Sequence, residues 1–511
     1  MFAPRRKGAV VKTASLPAPV GGWNARDSLG EMGPTDAVSL TNWYPGTTNC
    51  MLRSGFANYT TGLGSQVETL FVYSGATASE MYGAAGTSIY NVGAGGAVGA
   101  AVDSGLSNAR FRYINVAIPG GNFMISVNGA DKARYYDGTS WTADGTTYTI
   151  TGLNTQNAGN ICLHKNRVWF TEKASLKAWY LATSAVQGAA TSFDLSGIAY
   201  LGGVLVGMAT WTIDAGTGVD DLAVFVTSKG QVIVYRGTDP SSATTWALAG
   251  VWDLGSPIGN KPFMKYAGDL LAITQDGVVP MSGALQSSRL NPRVALTDKI
   301  QFATSQAISS YGSTFGWELC YFPKENMLIL NVPIAIGQQQ QYVMNTINKS
   351  WCNFTGWNAN CFAIFNDDLY FGGSGVVCKA WYGLDDNGSN ITGNGLQAFN
   401  DFGSPSRQKQ FRMMRPTLYT NGSPQLLGNI NVNYDQSDPT ASLSFAPTSY
   451  GSWDSGVWDT AVWGSDDGLS ANWQGAAGVG YTGAPRLKVA AKGISVKWVD
   501  TGIVYEEGGV L

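Results

Sequence analysis

A chain of 511 residues is long enough for more than one domain unless one large all-β body absorbs most of it. Glycine (65 residues) and aromatics (12%, with 17 Trp) are abundant, while charged residues reach 13% against a usual share of about 25%. The net charge of −3 gives no general electrostatic reason to grip nucleic acid, and a single histidine, His164, leaves no material for a Cys/His zinc centre.

The N-terminal stretch MFAPRRKGAVVK carries Arg5, Arg6, Lys7 and Lys12 without an acid. It lacks the apolar run of a signal peptide, and no later stretch is long and apolar enough to span a bilayer as a helix. Residues 1–20 read as a solvated tail or as a basic arm that docks on a partner. Residues 21–46, GGWNARDSLGEMGPTDAVSLTNWYPG, show hardly any periodicity. Their glycines and Pro34 suit turns, Asp27 and Asp36 suit capping of backbone N–H groups, and Trp43-Tyr44-Pro45 suits an anchor before the first strand unit.

From about residue 67 to residue 383 short apolar or alternating runs meet turns of Gly, Asn or Asp, beginning with ETLFVYSGATASEMYGAAGTSIYNV and ending with CFAIFNDDLYFGGSGVVCKAWYG. The clearest unit is DDLAVFVTSKGQVIVYRGTDP, whose two arms meet at Lys229-Gly230. About seven such units occur at uneven spacing. One twisted sheet of that size would be unusual, so radial repetition is the natural packing. The prediction is an all-β fold, a β-propeller of about seven blades over residues 21–395. Near residue 395 the polar stretch GNGLQAFNDFGSPSRQKQFRMMRP, with Pro405 and Pro416, reads as a domain edge. A smaller β domain is therefore predicted over 396–511. It includes SWDSGVWDTAVWG, in which Trp453, Trp458 and Trp463 lie five residues apart. Along a strand that spacing alternates faces, so these rings suit a core or a partner interface better than a flat sugar platform.

No set of residues converges on catalysis. His164 sits in a strand-like run, CLHKNRVWF, and there is no G-x-S-x-G elbow or P-loop; FGGSG at 371–375 reads as a hairpin turn. The acid pairs Asp220-Asp221, Asp367-Asp368, Asp385-Asp386 and Glu506-Glu507 are neighbours in sequence, which on a strand points them to opposite faces. DAGTGVDD (214–221) has the alternating oxygens that can wrap calcium, but it fits no EF-hand and reads as a turn. The six cysteines form no C-x-x-C and suit buried reduced thiols made in a reducing cytoplasm. The expectation is a non-enzyme with no catalytic residue, cofactor or metal. Partner docking falls to Arg5, Arg6, Lys7, Lys12, Trp453, Trp458 and Trp463. The Trp cluster and acid pairs supply an alternative, a glycan-binding or glycan-cleaving propeller.

Several marks together resemble the nozzle, or tail-tip, proteins of short-tailed bacteriophages, also called tail tube or stabilisation proteins. They are Gly21-Gly22-x-Asn24-x-Arg26-Asp27, Asp36-Ala37, Asn42-Trp43-x-Pro45 and Arg53-x-Gly55, followed by Gly202-Gly203, Trp211 and Asp214-x-Gly216-x-Gly218-x-Asp220-Asp221. Gly237-Thr238-Asp239-Pro240, Gly250, Gly255-x-Pro257-x-Gly259, Gly268-Asp269, Asp276-Gly277, NKSWCNFTGWNANCFAIFNDDLYFGG and the terminal YEEGG continue the series. The resemblance implies a propeller with an added β domain, assembled as six copies around a channel at the distal end of the virion tail. It implies attachment below the portal-adaptor complex, closure of the DNA conduit until ejection, and anchoring of fibres or spikes. A near-neutral wall agrees with that role, because each neutralised phosphate would add grip that stalls DNA in passage.

Overall fold

The computed structural model describes residues 11–214, 219–284, 294–444 and 468–508. The chain is mostly β. Among the described residues the one helix longer than a single turn is Gln301–Tyr311. Residues 67–380 run through successive antiparallel meanders. The second half of the strand Phe56–Ser74 pairs with Ser79–Ala85, which pairs with Ser88–Asn91. Four-stranded sheets follow at 112–143, 158–194 and 205–253, then a three-stranded sheet at 263–280. Two further meanders cover 318–354 and 361–380. The sheets stack face to face in a propeller-like arrangement, with the first strands of successive sheets side by side.

This stacking explains why the middle strands read as unbroken apolar runs. In Gln231–Gly237, Val232 and Val234 pack with Leu270 and Ala272 on one side, while Ile233 and Tyr235 pack with Trp169 and Trp246 on the other. A strand covered on both faces has no position left for a polar side chain, and each fully buried aliphatic contributes about 1.5–3 kcal/mol. The hairpin expected at Lys229-Gly230 is present, with Val226 opposite Val232. Gly230 takes φ +82°, and a Cβ there would lie 2.2 Å from the carbonyl oxygen of Leu254, so no other residue fits.

The flanking segments build two layers of strands, packed on each other. One is a sheet of its own and contains Val11–Pro17, Cys50–Leu52, Lys409–Thr420 and Val496–Glu507; the other, Asp36–Thr41, Ile391–Gln397, Gly483–Ala491 and Gln425–Val432, extends the sheet of the 318–354 meander, with Thr41 paired to Asn353. Leu40, Trp43, Leu418, Leu487 and Trp498 fill the space between them. The expected division at residue 395/396 cuts through the strand Ile391–Gln397, which pairs with Asp36–Thr41 on one edge and Gly483–Ala491 on the other. The leading segment and the C-terminal strands are thus knitted together. Hydrogen bonds between segments so far apart in the chain leave no trace in local composition.

The basic arm expected over 1–20 is likewise structured in its second half. Val11–Pro17 is a strand paired antiparallel with the C-terminal strand, from Val11 opposite Glu506 to Pro17 opposite Asp500. Deleting residues 2–10 keeps this strand and serves as the control. Deleting 2–17 exposes a sheet edge and removes buried Leu16, and is expected to cost at least about 2 kcal/mol. Equal midpoints for the two truncations would show that this strand is dispensable.

Candidate functional site: an outer sheet face and a central cavity

The first candidate surface is the outer face of the sheet built on Val496–Glu507. Its inner face buries Phe411, Met414, Trp498 and Ile503. On the outer side, Val11, Met413, Tyr419, Leu469, Trp473 and Val479 are all exposed, Val479 at 53%. Tyr419 lies directly opposite Leu469, and Val479 stands opposite Gln410. The Arg415 guanidinium sits 4.9 Å from the Trp473 ring, a cation–π contact that holds the indole upright on this face.

Lys12 belongs to the same sheet. Its ammonium reaches Glu507 Oε1 at 2.8 Å, and Arg407 lies 3.7 Å from the other oxygen of that carboxylate. Its charge is thereby tied within its own chain. Arg5, Arg6 and Lys7, like Trp453, Trp458 and Trp463, lie outside the described residues.

Each acid pair is anchored by a cation. Asp386 joins Arg53, Asp368 joins Lys379 at 2.5 Å and Lys324 at 3.1 Å, Asp221 joins Lys165 at 3.5 Å, and Glu506 joins Arg412 at 3.0 Å. The loop 214–221 lies partly outside the described residues. Among the described residues no three His, Cys, Asp or Glu side chains gather as a metal set. The six cysteines are unbridged, and burial pushes their thiols up, Cys162 to about 11 and Cys361 and Cys378 to about 12.

His164 is buried at the edge of the Trp169–Trp246–Tyr235 stack, its ring edge-on to Trp246 at 5.9 Å. The Thr210 hydroxyl donates to the Leu163 carbonyl at 3.0 Å, so His164 Nδ1, 3.1 Å from the same oxygen, is the donor in its own contact. Nε2 is then the bare nitrogen, sealed without a partner. Burial lowers this histidine to about 4. The unfolded chain takes up a proton near pH 6.5 that the folded chain refuses until about pH 4, so stability is full above pH 6.5 and falls as the pH drops between those values. The loss amounts to roughly 3 kcal/mol. As the sole histidine, its ring protons can be followed by NMR; a titration midpoint near 6.5 in the folded protein would refute the assignment.

The second candidate is an open pocket of about 450 Å³ lined by the first strands of the stacked sheets. Its wall is drawn from Arg112–Ile118, Ala158–His164, Leu205–Asp214, Phe263–Tyr266 and Glu318–Phe322. Four charged side chains line it: Arg112, Lys261, Lys265 and Glu318. Glu318 holds Lys261 at 2.5 Å through Oε1 and accepts the Phe362 N–H at 3.2 Å through Oε2. Both of its oxygens are engaged. Arg112, 9% exposed, is left with Nε and Nη2 buried and unpartnered. Burial lowers the guanidinium to about 9, against the opposing field of Glu318, so it stays charged at neutral pH. Sequence reasoning passed over this group. Its signal was an arginine in FRYINVAI, an otherwise apolar run that heads a meander.

No family model matches the chain, and no curated protein matches it. Among solved structures it is similar to Raptor of Chaetomium thermophilum, with 11% identity over 65% of this chain and 29% of Raptor, at a TM-score of 0.38. It is also similar to BBS1N from a complex with ARL6DN soaked with lead, with 13% identity over 48% of this chain and 76% of that one, at a TM-score of 0.30. Both superpositions are loose, and the first spans less than a third of Raptor's length.

Proposed function

We propose that the chain is a non-enzymatic structural subunit of a virion, the nozzle of a short phage tail. In this reading it assembles as a ring, six-fold by the resemblance, at the distal end of the tail below the portal-adaptor complex. The ring extends and closes the DNA channel without binding DNA specifically, and offers anchorage for fibres or spikes. The observation that carries the reading is the run of exposed apolar side chains, among the described residues, on the outer face of the sheet built on Val496–Glu507. Val11, Met413, Tyr419, Trp473 and Val479 form a surface of the kind that a stable subunit contact buries.

The propeller is read as seven-bladed with an added β body. Support comes from the apolar clusters, one between each pair of successive sheets. Phe71 and Met124 lie between the first two, Ile125 and Phe170 between the next, and Val67 with Tyr370 between the last and the first. The strand Phe56–Ser74 serves both ends of the series, its first half pairing with Ser374–Ala380 and its second with Ser79–Ala85. The added body is the sheet built on Val496–Glu507 packed on the strands Asp36–Thr41, Ile391–Gln397, Gly483–Ala491 and Gln425–Val432, which extend the sheet of the 318–354 meander.

Negative-stain electron microscopy of the purified chain, alone and with its phage's portal-adaptor complex, tests the proposal. A six-fold ring capping the adaptor is expected, and Val479→Asp is expected to abolish the ring without moving the unfolding midpoint. A monomer that ignores the adaptor would overturn the reading, and glycan-array binding by that monomer would favour the sugar-recognising alternative.

A further inference from the structure

The central cavity has a charge imbalance that the fold does not use. Three cations line it against one carboxylate, and that carboxylate is committed to Lys261 and the Phe362 N–H. Burying a guanidinium without a partner is among the costlier things a fold can do, and a wall of apolar strands has no structural need of it. Arg112 pairs through its backbone with Val127, as any residue at that position would. Its Nε and Nη2 are buried without a hydrogen-bond partner, and the residue lines the cavity. Lys265, exposed, stands on the same wall. Asn115 donates its amide to the Val72 carbonyl at 2.9 Å and keeps Oδ1 buried without a donor.

We propose that this cavity is a binding site for a small oxyanion-bearing molecule, its phosphate or carboxylate group held by Arg112 and Lys265. Charge selects the ligand class, because a cation would meet Arg112 and Lys265 with no free carboxylate to receive it. The volume admits a molecule larger than a bare ion and suits a hydroxy acid or a sugar phosphate. The site stands independently of the assembly reading.

The test uses the full-length chain, with isothermal titration and thermal unfolding in anion-poor buffer. Inorganic phosphate and citrate serve as the two probes, against sodium chloride at matched ionic strength. Saturable binding of at least one probe is expected. If phosphate alone binds, the ligand is a phosphate compound; if citrate alone binds, it is a carboxylate. Lys265→Ala is expected to weaken binding about fivefold, as befits a partly screened charge contact. Arg112→Met is expected to weaken it about a hundredfold, as for a buried charge-assisted contact. Without probe, Arg112→Met should unfold at a higher temperature than the parent, because an unpaired buried charge has been removed. No saturable binding beyond the chloride control overturns the proposal. So does an unchanged affinity in Lys265→Ala, which leaves the core untouched and remains informative if Arg112→Met fails to fold. A lower unfolding temperature for folded Arg112→Met without probe would make the arginine structural and would also overturn it.

Discussion

Replacing Arg53 with alanine is expected to lower the free energy of unfolding by about 3–5 kcal/mol, the cost of stripping one partner from a buried ion pair. The Arg53 side chain has no exposed surface. Its Nη1 and Nη2 bind the two oxygens of Asp386 at 2.8 and 2.6 Å. Nη2 also donates to the Thr355 carbonyl at 2.6 Å, Nη1 to the Ser54 carbonyl at 3.0 Å, and Nε to Asn42 Oδ1 at 2.9 Å. The plane lies over the Trp357 ring at 5.2 Å. One side chain thus ties the leading segment, the loop after the strand Trp351–Phe354 and the loop at 385–389 together. Gly55 closes the same knot, since a Cβ there would lie 1.7 Å from the Asp385 carbonyl oxygen. The double variant Arg53→Met/Asp386→Leu should cost less than Arg53→Ala alone, because it leaves no orphaned carboxylate. Urea titration followed by tryptophan fluorescence measures both. A loss below about 1 kcal/mol would place the pair with ordinary surface bridges.

Trp43→Ala is expected to be of similar size, about 3–5 kcal/mol, through the cavity it opens between the two flanking sheets. Trp43 is fully buried, with its ring centroid 5.8 Å from that of Trp498. Gly393 leaves room for the indole: a Cβ on it would come within 2.9 Å of Trp43 Nε1 and 2.7 Å of a Leu52 methyl. Trp43 Nε1 has no hydrogen-bond partner, so Trp43→Phe forfeits packing alone and should cost roughly half as much. Gly393→Ala should destabilise the parent but be better tolerated beside Trp43→Phe, a non-additivity that urea titration of the four proteins reads directly. Additive losses would mean that the two sites do not share this space.

The meanders were legible in the sequence because they are local. The turn at Lys229-Gly230 and the apolar runs around it depend on residues within a few positions of one another. The role of Trp43-Tyr44-Pro45 as an anchor was legible too, since two adjacent large aromatics in a polar stretch have to be buried somewhere. What it packs against was not, because Trp498 and Gly393 lie at the other end of the chain. The division at 395/396 failed for the same reason. A polar stretch with two prolines looks like a linker until the strand beside it is seen paired on both edges. Arg112 escaped notice because a lone charge in a strand usually faces water. The ring of first strands turns it inward, and no local pattern records that ring.

The strand Phe56–Ser74 is translated early, yet the partner of its first half, Ser374–Ala380, is translated late. Val11–Pro17 waits longer still, for the strand that ends at Glu507. At about 5–20 residues per second these intervals are on the order of tens of seconds, during which unsatisfied sheet edges stand open beside a ribosome. The strand Val496–Glu507 is therefore a molecular clasp, and a chain cut before it should be taken up by chaperones or degraded.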